Sequence, residues 1–234
     1  MSKQIPWLRV FVEGAVIVGS ILLAFGIDAA WEGRQDDAFE LDALTRLEVE
    51  FTENLGRIAS PRANSGRPAA RAAAFHQLLQ SLPAATESVA VPDTLIAGVL
   101  STGTFDRVTP VLDGLLRSGR WELIRDPNVR EAIALFERWL AQLVERQAFA
   151  REHVDMRLRP SLAARGDVSR VFSGYGIQSD LAESDEVTVL RIDDELKAFV
   201  AEKHARNESN AGISARLRAA TEDVLAAISR SLGS

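Results

Sequence analysis

From Val10 to Ile27 the chain reads VFVEGAVIVGSILLAFGI, an apolar run of eighteen residues carrying one charge. Wound as a helix, this run is about 27 Å long, close to the thickness of a bilayer's hydrocarbon core. Trp7 and Trp31 bracket it, about 36 Å apart at 1.5 Å per residue, near the separation of the interfacial belts where indole rings settle. With Arg9 they form the expected interfacial anchors, and Pro6 suits a first helical turn, where its missing N–H costs nothing. The pattern predicts a cytoplasmic N-terminus and interfacial turn over residues 1–9, a transmembrane helix over 10–31, and a soluble helical domain over 32–234.

Beyond the run a helical period takes over. Leu41, Leu44, Leu47, Phe51, Leu55 and Ile58 recur every three or four positions and draw one stripe, so the helix is expected to leave the membrane and continue to Ser60-Pro61. Such a rod would be about 80 Å long, with Gly33 a possible weak point. Residues 59–68 carry turn signals, and an Ala-rich helix bearing Phe75, Leu78, Leu79 and Leu82 follows. Pro83 to Pro92 reads as a connector, after which Asp93 can cap a helix to about Ser101. Thr109-Pro110 and Asp126-Pro127 each resemble an N-cap followed by proline at the first helical position, and Gly119 is a plausible stop between them.

Pro127 to Arg159 is the second long helix, with Val129, Ile133, Phe136, Leu140, Leu143 and Val144 on its apolar face and Pro160 as its expected end. Residues 161–188 have no sustained period. Val187 to Ile192 is apolar enough for a short strand but has no obvious partner. Asp193 then opens a third long helix to about Leu232, with Leu196, Val200, Lys203, Asn207, Asn210, Ile213, Leu217, Thr221, Val224 and Ile228 near one seam. The two asparagines either fix register or mark where that helix meets water. The predicted fold is all-α: one N-terminal transmembrane helix continuing into an antiparallel extramembrane bundle with three long helices.

Composition agrees with this picture: of 234 residues, 47% are hydrophobic and only 6% aromatic, a mixture that suits helices. The net charge of −6 and the absence of a basic stripe argue against a nucleic-acid partner. Without cysteine there are no disulfides, thiolate metal sites or cysteine nucleophiles. A cleaved signal peptide competes with the anchor reading, but Glu13 opens the apolar run and no small-x-small cleavage site is convincing. Lys3, Arg9 and the amino terminus flank one side, while WEGRQDDAFELD on the other is acidic apart from Arg34. The positive-inside tendency therefore places the N-terminus in the cytoplasm and the soluble domain in the periplasm, across a bacterial inner membrane.

Polar groups in the span admit two readings. Glu13 lies one turn past Arg9, and an i,i+4 pair would neutralise it near the interface. Alternatively Glu13, Ser20 and Asp28, on roughly one face, line a partner helix or a watery path. A second stripe of small residues, Ala15, Gly19, Gly26 and Ala30, would let another helix backbone approach closely.

No other motif carries chemistry. His76, His153 and His204 have no metal-binding spacing, and there is no phosphate-binding loop or nucleophile elbow. Ser173-Gly174-Tyr175-Gly176 reads as a turn. The acidic groups Asp36-Asp37, Glu183/Asp185/Glu186 and Asp193-Asp194-Glu195 lack calcium-loop spacing. Trp121 and Trp139 suit either a bundle core or an interface. No catalytic, metal or cofactor-binding residue is assigned, and no cofactor is expected.

The segments VEGAVIVGSILLAFGIDAAWEGR and LTRLEVEFTENL carry Glu13 at the start of the span, an exit from Leu22 to Trp31, and a helix with Leu44, Leu47, Glu50 and Asn54. In these features the chain resembles an uncharacterised bacterial family of small single-span membrane proteins, a domain of unknown function. LLRSGRWELIRDPNVREAI is similar to a later pattern of that family, whereas Ala29-Ala30 before Trp31 departs from its usual bulk. The resemblance implies one span and a helical domain, and it brings no activity. The resulting expectation is a non-catalytic accessory or scaffold subunit that docks on a larger integral-membrane assembly through lipid and neighbouring transmembrane helices. A photosynthetic or respiratory energy-converting complex is the specific case. The alternative is a homo-oligomeric channel or signal-transducing module with Glu13 facing the axis; an enzyme ranks third.

Overall fold

The computed structural model describes residues 7–59, 66–174 and 185–233. The expected rod is one uninterrupted helix, α1 (Trp7–Ala59), of 53 residues, about 80 Å long at 1.5 Å per residue. Gly33 lies within it without a break. There follow α2 (Gly66–Ser81), β1 (Ser88–Pro92), α3 (Asp93–Leu100), α4 (Pro110–Ser118), α5 (Pro127–His153), α6 (Arg159–Ala163), α7 (Ser169–Gly174), β2 (Val187–Arg191) and α8 (Asp194–Leu232). Among the described residues the class is all-α apart from one two-stranded sheet.

Two apolar cores divide the bundle. The first joins Leu44, Leu47, Phe51 and Ile58 of α1 to the Val129–Leu143 face of α5 and to Ile213, Leu217, Val224 and Ile228 of α8. At its centre Phe51 meets Phe136 edge-on, ring centroids 4.8 Å apart, the arrangement favoured by the aromatic quadrupole. The second gathers Phe75 and Leu79 of α2, Ile96, Val99 and Leu100 of α3, Leu158, Leu162, Leu190, and the start of α8. Gly98 is required there: a Cβ at that position would fall 2.4 Å from Arg71 Cβ, so α3 presses against α2 where no side chain fits.

The long helices do not all alternate in direction. Arg125 bonds to Glu40 and Phe136 packs on Phe51, so α5 runs the same way as α1. Arg146 contacts Ser209 while His153 contacts Phe199, so α8 runs against α5. The antiparallel expectation therefore holds for α8 alone. A parallel pair needs a long return connection, and within it α2, β1 and α3 build part of the second core on the way.

Several local expectations change in the folded chain. The strand over Val187–Arg191 does have a partner: β1, within the segment read as a connector, pairs antiparallel with it from Ser88↔Arg191 to Pro92↔Val187. Pro160 does not end the second long helix. A π-helical turn, Val154–Leu158, precedes it, and the widened ladder accommodates a ring that would otherwise press on the carbonyl of Met156. Leu41 and Val144 are exposed, because the faces actually buried are set by Ala43, Leu44 and Leu47 on α1 and by Leu140 and Leu143 on α5.

The predicted caps divide in the same way. Asp126 accepts from Asn128 N at 2.8 Å, Asp193 accepts from Leu196 N at 2.9 Å, and Gly119 stops α4 at φ 70°. Thr109 holds the N-cap position without a side-chain cap bond; its Oγ1 donates to Asp113 instead. Asp93 is not a cap. It is fully buried and accepts from Arg170 Nε at 2.9 Å and from Thr188 Oγ1 at 2.7 Å, fastening α3 to α7 and β2.

Candidate functional site

Among the described residues α1 is the one helix long and apolar enough to cross a membrane; its best window has a mean hydropathy of 1.7 and none of it is buried in the protein. Phe11, Leu22, Phe25 and Trp31 are each at least 65% exposed, whereas the apolar side chains of the bundle's two cores are close to zero. Ala15, Gly19, Gly26 and Ala30 are exposed along this half, and a Cβ at Gly19 or Gly26 would meet nothing within 4 Å. Glu13 and Asp28 are exposed as well. Ser20 Oγ donates to Val16 O at 2.8 Å, so its hydroxyl is satisfied within the helix. Trp7 and Arg9 belong to the helix, but their side chains lie outside the described residues, and with them the expected Arg9–Glu13 pair.

Where α1 enters the bundle, it organises the chain opposite it. Asp37 pairs with Arg125, and Glu40 Oε1 accepts from Arg125 N at 2.6 Å. About three turns on, Glu50 accepts from Val111 N at 2.6 Å and Leu112 N at 3.2 Å, supplying the cap that Thr109 does not give α4. Burial pushes the Glu50 carboxyl up from its ordinary value, against those two N–H groups and with help from nearby Asp113 and Glu53. Asn54 is fully buried and reads Val108 from both sides: Nδ2 donates to its carbonyl at 2.6 Å and Oδ1 accepts its N–H at 2.9 Å. Glu50 and Asn54 thus hold the Val108–Leu112 backbone, while Leu44 and Leu47 share the first core with Leu112, Leu115, Ile124 and Val129.

A polar layer separates the two cores. Between Lys203 and Ile213 no residue of α8 is buried, and Asn207 and Asn210 are half-exposed there. The seam breaks where the asparagines stand. Lys203 is 1% exposed, its Nζ donates to Ser101 O at 2.8 Å, and desolvation, with some repulsion from Arg206, depresses its pKa to about 8. Gln147 accepts Phe105 N at 3.1 Å. His153 Nε2 lies 3.1 Å from Phe199 O; a carbonyl only accepts, so this nitrogen carries the proton. Its Nδ1 faces Glu202 Oε2 at 3.4 Å, and burial lowers the imidazole pKa despite that carboxylate.

Sequence spacing leaves the three histidines unrelated, yet tertiary packing brings them around one turn of α8. His76 of α2 stacks on His204 with centroids 5.1 Å apart, while His153 approaches from α5. No group of three or more potential metal ligands forms among the described residues. An open groove nearby is lined by Glu145, Arg146, Phe149, Arg206 and Asn210; its arginines are engaged by Ser209 and Glu202. Glu50, Asn54, Gln147, His153 and Lys203 share one kind of contact: each ties a helix to a backbone atom of a neighbouring segment. In the sequence Glu50 and Asn54 stand in the helix that carries the resemblance, Lys203 is one member of the α8 seam, and His153 is an isolated histidine. Gln147 carries no local signal, and no spacing in the sequence gives the backbone partner of any of the five.

The described residues define a helical bundle carried on a long helix whose N-terminal half is apolar and exposed. Comparison with known proteins adds no relative: no family model matches the chain, and neither a curated protein nor a solved structure is similar to it.

Proposed function

We propose that the protein is a membrane-anchored, non-catalytic accessory or scaffold subunit. In this reading the apolar half of α1 sits in a bilayer and docks on other transmembrane helices, and the bundle braces the assembly on the periplasmic side of a bacterial inner membrane. A respiratory or photosynthetic energy-converting complex is the kind of assembly meant. The observation that carries it is the continuity of α1. The same helix that is exposed at the described side chains of its apolar half is locked into the bundle by Leu44, Leu47, Phe51, Glu50 and Asn54, so a force on the span reaches the bundle without a hinge.

The small-residue stripe supports lateral docking, because helices in lipid gain contact by close backbone approach rather than by the hydrophobic effect. The test is solubilisation of native membranes in mild detergent. The chain should resist alkaline washing and migrate with other membrane proteins at a mass far above its own 25.5 kDa. Replacing Gly19 and Gly26 by Leu should release it from that assembly while leaving it in the membrane. Recovery of the unaltered protein as a free monomer, or in the aqueous fraction, overturns the proposal.

A further inference from the structure

The geometry points to a small-molecule site in the bundle: the open groove between α5 and α8, with a volume of about 280 Å³, takes a free α-amino acid with an apolar side chain. Its lining comes from two helices. α5 supplies Glu145, Arg146 and Phe149, and α8, running the other way, supplies Arg206 and Asn210. The volume is near the lower end of the roughly 300–1,000 Å³ usual for ligand sites, and clefts between bundle helices are a common place for them. The groove stays open because the seam of α8 turns polar here. With Asn207 and Asn210 where apolar residues stand elsewhere on the seam, no α8 residue between Lys203 and Ile213 is buried.

Two opposite charges stand unpaired at its rim. Arg146 donates to the Ser209 hydroxyl at 2.8 Å, a neutral partner, and among the described residues neither it nor Glu145 makes an ion pair. Consecutive residues on a helix point about 100° apart, so these two do not face one another. Arg206 differs: Glu202 Oε1 accepts from its Nε at 3.1 Å and its Nη2 at 2.5 Å, and that guanidinium is already matched. Counting Glu202, two carboxylates stand with two guanidinium groups. A groove that is neutral in sum but keeps one acid and one guanidinium apart matches a zwitterion. A ligand with only a carboxylate would meet the like charge of Glu145, and one with only an ammonium would meet that of Arg146.

Phe149 supplies the apolar part of the fit. It follows Glu145 by four positions and Arg146 by three, the two spacings that set side chains next to each other on a helix, and its ring is half-exposed. An amino acid with its carboxylate on the Arg146 fork and its ammonium on Glu145 therefore carries its side chain onto that ring. The Arg146–Ser209 contact sets Asn210 level with the charged pair, where its amide both donates and accepts.

The test is calorimetric titration of the full chain in lipid nanodiscs with L-leucine, L-valine and L-phenylalanine. At least one should bind saturably at one per chain. The N-acetyl derivative of that amino acid, which lacks the ammonium, and its amide, which lacks the carboxylate, should each bind at least about tenfold more weakly, the effect of leaving one charge without its partner. Glu145→Gln should narrow the lead over the N-acetyl derivative, Arg146→Gln the lead over the amide, and Phe149→Ala the preference over glycine. All three side chains are exposed, and circular dichroism should show each variant folded. No saturable binding of any of the three amino acids at millimolar concentration overturns the site. So does equal binding of the amino acid and its two derivatives, or binding that folded Glu145→Gln and Arg146→Gln chains leave unchanged. The groove lies within the bundle, so each of these failures leaves the anchored reading standing.

Discussion

Lys203 offers the most quantitative check on the polar layer. Its ammonium is buried between two apolar cores, with the Ser101 carbonyl as acceptor and a pKa brought from 10.5 down to about 8. The sign follows from proton counting. Between about pH 8 and 10.5 the unfolded chain keeps this proton and the native state has lost it, so stability rises with pH across that window. At about 1.4 kcal/mol per pH unit the whole rise is about 3 kcal/mol, and below pH 8 the cost of burying the charge is present in full. Lys203→Met keeps the volume and removes the titration. At pH 7 relief of that cost is offset by about 1–3 kcal/mol for the carbonyl left without a donor, so the variant should lie within about 2 kcal/mol of the parent. Urea unfolding of the detergent-solubilised chain, followed by circular dichroism from pH 7 to 10.5, separates the two: the parent gains stability and Lys203→Met does not. A variant whose stability climbs in parallel with the parent would refute the assignment.

Other perturbations probe the remaining ties. Asn54→Ala removes both bonds to the half-buried Val108 N–H and C=O, which should cost about 1–3 kcal/mol in the same unfolding assay and speed amide exchange in residues 105–112. His153 has a pKa held below its ordinary 6.5, so the native state resists protonation and stability should fall as pH drops below that value; His153→Gln should flatten this acid limb in a pH series of thermal melts. Gly98→Ala puts a methyl 2.4 Å from Arg71 Cβ and should destabilise the second core by about 1–3 kcal/mol, read as a lower thermal midpoint.

Much of the bundle was readable along the chain because its signals are local. The apolar run, the stripes of α1, α5 and α8, the proline starts of α4 and α5, the Asp126 and Asp193 caps and the Gly119 stop each depend on neighbours within a turn or two. Errors gathered where a residue's role depends on a distant segment. Asp93 looked like a cap and became the buried anchor for Arg170 and Thr188; Thr109 held a cap position whose work passed to Glu50. Leu41 fits the stripe of α1 yet faces outward, because a period allows a face some tens of degrees wide and only the packed neighbours fix its edge.

The amino-acid order alone settled where the three long helices run and which run is apolar enough to cross a bilayer, since both follow from side-chain chemistry repeated at a fixed rise per residue; the short helix α7 lies in a stretch without a sustained period. Tertiary structure decided that α1 and α5 run the same way, that β1 pairs with β2, and that Glu50, Asn54, Gln147, His153 and Lys203 spend their polar atoms on backbone far away in sequence. A buried donor or acceptor must find some partner, but which one it finds depends on how the elements come together.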